Sequence, residues 1–267
     1  MNNKLEKALR EICSIDELAE RDSPVHRLPP LAKLIVTIAY IAVTVSFHKY
    51  DIVGIAVMAV YPVIMFAISG ISVGSCFYKL RIILPIVALV GVFNPIFDRE
   101  PFATIGGVTF SCGVISMITL LMKGVLSLMA SFILISTTKI DHLCGALRKV
   151  GMPGMLATLF LLTYRYITLM MTELSTMTTA YSLRAPGQKG IHISAWGSFI
   201  GQLFLRSMDR AEEIYSGMNL RGFDGNFHYA DIKIMTVNGA FFSGICVTLF
   251  ILARNFNIFF LLGNMFT

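Results

Sequence analysis

The sequence predicts an all-α polytopic membrane protein, with about five transmembrane helices, six if the C-terminal tail also crosses, and a cytoplasmic module of one short and two long helices. Three observations carry this. Of 267 residues, 55% are apolar and only 14% charged, whereas a soluble domain carries roughly 25% charged residues; mean hydropathy is +0.72. The uncharged stretches reach the roughly 20 residues that one bilayer crossing needs. Between Lys139 and Lys233, charges return while apolar residues keep a helical spacing. The composition excludes an ordinary soluble enzyme and a nucleic-acid binder despite the net charge of +6, because basic residues flanking spans report orientation.

Residues 1–33 form a cytoplasmic amphipathic segment. No apolar h-region opens it, so no cleavable signal peptide is expected. A charged helix from Asn3 to about Ala19 precedes Asp22-Ser23-Pro24 and Leu28-Pro29-Pro30. Residues 34–138 hold four spans. The first is Leu34–Phe47, reaching back to Leu31 past Lys33, which can snorkel; Ile52–Tyr78 contains the second and Ile82–Phe97 the third. The fourth lies within Pro101–Thr138, uncharged apart from Lys123, and its Gly106–Gly113 stretch alternates like a small outside hairpin. Lys123 is a functional candidate by default, since charge inside a span is costly. The reading favoured is a span longer than needed, with Lys123 facing the bundle or snorkelling. Gly70/Gly74 and Gly197/Gly201 have the spacing that lets helices approach closely. Residues 234–267 carry the last clean run, Ile234–Ala253, then Arg254 and an apolar tail.

With the N-terminus inside, segments 1–33, 72–81 and 139–233 hold 6, 2 and 10 lysines plus arginines, against Lys49 and Arg99 outside. The positive-inside rule therefore places residues 139–233 in the cytoplasm. Thr138–Val150 is the short helix, with Ile140, Leu143, Leu147 and Val150 on one face and Gly151-Met152-Pro153-Gly154 as its stop. The first long helix runs from about Met155 to Arg184, roughly 45 Å. Its first half is apolar enough to lie in or along the membrane, its second half is rich in Thr and Met, and Ala185-Pro186-Gly187 ends it through a left-handed turn. The second, Ser194–Arg221, carries Ile200, Leu203, Ser207, Met208, Ala211, Ile214, Tyr215 and Met218 on one stripe. Opposite lie Arg206, Asp209, Arg210, Glu212 and Glu213, with Arg206/Asp209 and Arg210/Glu213 pairing at i,i+3. Such Met-bearing faces adapt to a protein partner.

No chemistry is legible in the chain itself. A phosphate-cradling GxxxxGK[ST] is absent, the five His make no HxxxH or HExxH, and the five Cys form no CxxC. Neither catalytic residue, cofactor site nor metal site is expected; His26 is read as structural and the cysteines as small apolar fillers.

Ile15-Asp16 through Asp22-Ser23-Pro24-Val25-His26-Arg27-Leu28, then Tyr164-Arg165-Tyr166 with Glu173, then Leu205-Arg206-Ser207-Met208-Asp209-Arg210-Ala211-Glu212, and finally Met218-Asn219-Leu220-Arg221-Gly222-Phe223 together resemble the transmembrane T component of energy-coupling factor (ECF) transporters, cobalt-type branch. The resemblance spans nearly the whole chain in order. It implies a non-catalytic scaffold in a prokaryotic cell membrane, docked on two ATP-binding cassette ATPase subunits that hydrolyse the ATP. Their movement would pass to a separate substrate-binding membrane subunit, for cobalt or another transition-metal ion, or in the alternative for vitamin-type substrates. It further implies ATPase docking through Leu183 and Arg184 on one helix and Leu220, Arg221 and Gly222 on the other, supported by Arg165, Glu173, Arg206, Asp209, Arg210 and Glu213. Leu183-Arg184-Ala185 keeps the family's arginine but has Ala where Gly is usual. Independently of family, an Arg in a last turn favours the negative helix end, and a following Gly takes the left-handed cap. Two other readings stay open. An intramembrane enzyme would need paired acids, Ser with His, or a metal motif at membrane depth, and a stand-alone secondary transporter often shows two related halves.

Overall fold

A computed structural model describes residues 14, 16–81, 83–97, 101–105, 108–186, 188, 190–223, 225 and 236–255. Most of the amphipathic helix expected over 3–19, Cys13, and the apolar tail after Asn255 lie outside the described residues. The chain divides into two compact units, one of Leu18–Lys139 with Lys233–Thr267 and one of Met1–Glu17 with Ile140–Ile232.

In the first unit, α1 (Pro30–Ser46) starts on a proline, whose missing N–H costs nothing in the first turn. Helix α2 (Ile52–Met58) is capped by Asp51, whose Oδ1 accepts from the Gly54 N–H at 2.9 Å. It runs through Ala59 into α3 (Val60–Ser69) as one apolar stretch, Ile52–Ser69. Pro62 has no N–H to give the Met58 carbonyl, and the Tyr40 hydroxyl donates to that carbonyl instead at 2.9 Å. The crossing ends at Gly70, with φ +66°, earlier than the uncharged run to Tyr78 suggested. A separate α4 (Val73–Leu80) follows on a Ser72 cap. Helix α5 (Leu84–Phe97) leads to the antiparallel pair β1 (Pro101–Ile105) and β2 (Val108–Ser111), with Ile105 opposite Val108. The hairpin expected at 106–113 lies earlier in the chain: its strands are Pro101–Ile105 and Val108–Ser111, and Cys112 already begins the next helix. Helix α6 (Cys112–Thr137) and, after the second unit, α10 (Val237–Asn255) complete it.

Four helical stretches among the described residues are long and apolar enough to cross a membrane: Ile52–Ser69, Gly113–Thr137, Gly154–Arg184 and Val237–Asn255; Pro30–Ser46 and Leu84–Pro95 are shorter apolar helices. Helix α6 packs against α1, α3 and α5 and enters both buried clusters. One joins Tyr40, Ile55, Leu126 and Phe250, the other Val25, Phe66, Cys76 and Ile133. Three rings tie α1, α3 and α10 together, with Tyr40–Tyr61 centroids at 4.8 Å and Tyr61–Phe250 at 5.1 Å. The close approaches fall on other glycines than those chosen by spacing. Gly70, Gly74, Gly197 and Gly201 face open space, whereas a Cβ on Gly239 would lie 2.5 Å from Pro29 Cγ and one on Gly124 2.9 Å from a Val87 methyl. Gly70 ends α3 while Gly74 already lies in α4, so that pair shares no helix face, and no neighbour lies over Gly197 and Gly201.

Both lysines of the spans cap helices. Lys33 does not snorkel: it is 6% exposed, and its Nζ donates to the carbonyls of Thr137 at 2.7 Å and His26 at 3.1 Å. Lys123 faces the bundle and donates to Val45 O at 3.1 Å and to Phe47 O. Each ammonium thus sits on the negative C-terminal end of the other's helix, filling carbonyls that helix termini leave unpaired. The connector before α1 is stitched locally. His26 Nε2 donates to Leu18 O at 3.0 Å, leaving Nδ1 to accept from the Ser23 hydroxyl at 2.7 Å, so His26 is structural. Glu20 meets Lys139 at 2.8 Å and Asp22 meets Arg27 at 2.6 Å.

In the second unit, α7 (Ile140–Val150) buries Cys144, Gly145 and Ala146. The face expected from Ile140, Leu143, Leu147 and Val150 is at best half-buried, and Val150 is exposed. Helix α8 (Gly154–Arg184) keeps its Thr- and Ser-rich second half helical by turning hydroxyls onto its own preceding turn: Thr172 donates to Leu169 O, Thr176 to Thr172 O and Thr179 to Ser175 O. A 3-10 turn, Ile193–Ala195, then leads into α9 (Trp196–Leu220). None of α9's residues is buried; of its predicted stripe, Leu203, Ile214 and Met218 are half-covered while Ile200, Met208 and Tyr215 are exposed.

Candidate functional site

The α9 end shows what Leu-Arg-Gly-Phe does physically. The Phe223 N–H donates to Met218 O at 3.0 Å and the Gly222 N–H to Asn219 O at 3.0 Å, the paired 6→1 and 5→2 bonds of a Schellman cap. Gly222 supplies the required left-handed residue at φ +76°, where an L side chain is strained. Phe223 folds back so that it lines the same cavity as Met218. That leaves Leu220, 90% exposed, and Arg221 projecting.

At the α8 end, Arg184 is the last helical residue and Leu183 is 76% exposed. The left-handed turn expected at Gly187 falls outside the described residues. What holds this end is Tyr181, which sequence reasoning missed. Its carbonyl accepts from the Ala185 N–H at 3.1 Å, its hydroxyl donates to Gln188 Oε1 at 3.1 Å and accepts from the His192 N–H at 3.3 Å. A tyrosine one turn before a helix end is the only sequence signal it gave. Neither the Arg184 nor the Arg221 guanidinium has a hydrogen-bond or ionic partner among the described residues.

Behind the ends, α8 and α9 run in opposite directions. Arg206 pairs with Glu173, so the expected Arg206/Asp209 pair is not made, because the longer reach across to α8 captures the guanidinium; Asp209 is exposed. Arg210 Nη1 donates to Glu213 Oε2 at 3.0 Å as expected. Such half-exposed pairs contribute at most about 1 kcal/mol each, so they fix register more than stability. Arg165 borders a cleft of about 480 Å³ with Tyr166, Thr172 and Arg210. Next to it lies an apolar groove of about 610 Å³, lined from α8 by Met155, Leu159 and Tyr166 and from α9 by Ile214, Tyr215 and Met218. Tyr164 turns the other way, its hydroxyl donating to Asp16 Oδ1 at 2.6 Å. Burial raises the Cys144 thiol above its ordinary value, which makes it a poor nucleophile. Among the described residues, no three His, Cys, Asp or Glu side chains gather as a metal site would require.

Residues 21–229 match the family model described as a cobalt transport protein, CbiQ. The chain is also similar to the energy-coupling factor transporter transmembrane protein EcfT of Thermosediminibacter oceani, 26% identical over 247 residues, covering 87% of this chain and 92% of the relative. That of Lactococcus lactis subsp. cremoris is 27% identical over 235 residues, covering 79% and 86%. An uncharacterized protein of Methanocaldococcus jannaschii is 27% identical over 146 residues, and that match spans 52% of this chain and 50% of the relative.

Proposed function

The chain belongs to the CbiQ cobalt transport protein family, and from that premise we propose that it is the transmembrane energy-coupling subunit of an ATP-driven ECF-type uptake transporter. It is a scaffold and not an enzyme, and ATP is hydrolysed in partner chains. Two ATP-binding cassette ATPase subunits dock on the two helix ends, one on Leu183 and Arg184, the other on Leu220, Arg221 and Gly222. Their rigid-body movement passes along α8 and α9, held in register by Glu173 and Arg206 with Arg210 and Glu213 beside them, to a separate membrane subunit that captures the substrate. That subunit sets the cargo, cobalt or another transition-metal ion. The chain lies in the cytoplasmic membrane of a prokaryote, with residues 1–33 and 139–233 on the cytoplasmic side, residues 34–138 and 234–267 forming the membrane regions, and, with the inside loop 72–81 counted, 18 inside lysines and arginines against two outside.

The observation that supports this reading is the pair of exposed arginines without a partner among the described residues, each at the end of a long helix with a bare leucine beside it. A guanidinium presented this way suits bidentate pairing with a partner's carboxylate. Replacing Arg184→Glu together with Arg221→Glu reverses both charges. Cells carrying the double variant are expected to lose uptake of radiolabelled cobalt, and the ATPase is expected to fall away on co-purification; undiminished uptake and association would refute the docking role.

A further inference from the structure

The two helix ends are built by different means. At α9 the backbone does the work, through a left-handed glycine and two cap bonds. At α8 the residue after the arginine is Ala185, with φ −125° and ψ 66°, a conformation that forms no left-handed cap. The chain turns there around a side chain. The Tyr181 hydroxyl both donates to Gln188 Oε1 and accepts from the His192 N–H, so one oxygen gathers residues four and eight positions after the helix end. The Tyr181 carbonyl holds the Ala185 N–H, fixing the peptide that follows Arg184. Tyr181 lies less than one helical turn before Arg184, so the same residue grips both the last turn and the loop. With Ser182, Gln188 and Ile191 it encloses a small cavity of about 180 Å³.

We propose that Tyr181 is the positioning residue of the first docking end, its hydroxyl substituting for the glycine cap and setting the direction in which Leu183 and Arg184 are presented. This rests on the docking reading above. Two consequences follow from the chemistry. Removing the hydroxyl while keeping the ring breaks both side-chain bonds and leaves the apolar packing. Removing a glycine at the α9 end, by contrast, leaves Tyr181 and the α8 end intact.

The test is a binding cycle on the full chain in lipid nanodiscs, titrated with a purified ATP-binding cassette ATPase of an ECF transporter. Tyr181→Phe is expected to weaken binding about tenfold, the effect of losing two ordinary hydrogen bonds' worth of organisation. Arg184→Ala is expected to weaken it at least as much, and the double variant no more than Arg184→Ala alone, since a residue that acts only by aiming Arg184 has nothing left to aim. Amide exchange at His192 should quicken in Tyr181→Phe. Additive losses, or Tyr181→Phe binding like the parent while Arg184→Ala is weak, would overturn the positioning role alone. If Arg184→Ala binds like the parent, the docking reading itself falls.

Discussion

Replacing Gly222 with alanine separates a docking motif from a mere helix cap. The backbone at Gly222 has φ +76°, and a Cβ built there meets nothing within 4 Å, so the substitution introduces no clash. Its whole cost is conformational, about 1–2 kcal/mol for an L residue in the left-handed region. The side chain has no neighbours to offset that cost, so it falls on the cap, whose population drops by roughly 5- to 30-fold relative to the frayed end. When the cap opens, the Phe223–Met218 and Gly222–Asn219 bonds are lost and Arg221 no longer leaves the helix in one direction. Gly222→Ala is therefore expected to weaken ATPase binding by a factor within that range, measured by titration in nanodiscs. The thermal midpoint of the chain should barely move, because α9 buries none of its residues. Gly222→Asn is the discriminating companion, since asparagine tolerates the left-handed region and should recover much of the affinity. Equal binding by glycine and alanine variants would refute the argument that the cap aims the arginine.

Three further outcomes follow. Lys33→Met keeps the side chain's length but strands the Thr137 and His26 carbonyls that its ammonium holds; about 2–3 kcal/mol of stability should be lost, read as a lower unfolding midpoint in detergent, and an unchanged midpoint would contradict the capping role. Gly239→Ala should destabilise by about 1–3 kcal/mol in the same assay, because the new methyl would sit 2.5 Å from the rigid Pro29 ring, whereas Gly197→Ala in open space should be neutral or slightly stabilising. Glu20 is held below its ordinary value of 4.5 by hydrogen bonding to Lys139, and Asp22 below its ordinary value of 3.8 by Arg27. The support these carboxylates lend residues 18–28 is thus complete above those values and is lost as pH falls through the lower folded ones. Amide exchange of that segment, corrected for its intrinsic pH dependence, should rise on acidification below about pH 4, and 1 M salt should mute the change.

Much of this architecture was legible because hydropathy and helix punctuation are local properties. Pro153 and Pro186 bracket α8 in the sequence as they do in the structure, and the α9 boundaries follow from the polar turn before it and the glycine after it. The Arg-ended helices were equally readable, since Arg221 followed by Gly222, and Arg184 followed two positions on by Pro186, are helix-end signals that need no tertiary partner. Where the reading slipped, the deciding fact was non-local. Arg206 had a plausible partner three residues on, yet the glutamate of another helix takes it.

By itself, then, the sequence determined the all-α membrane class, the helix ends and the two projecting arginines, because each depends on composition or on residues within a few positions of one another. Only the tertiary structure decided what each lysine of the apolar runs does and which glycine matters. Lys33 and Lys123 look alike as charges in apolar runs, and their roles as reciprocal caps exist only once α1 and α6 lie side by side. Gly239 is unremarkable until Pro29 is placed against it. Tyr181 organises its loop through bonds to residues seven and eleven positions away. Periodicity carries no signal for such contacts, since they are set by the turn of the chain and by what happens to face it.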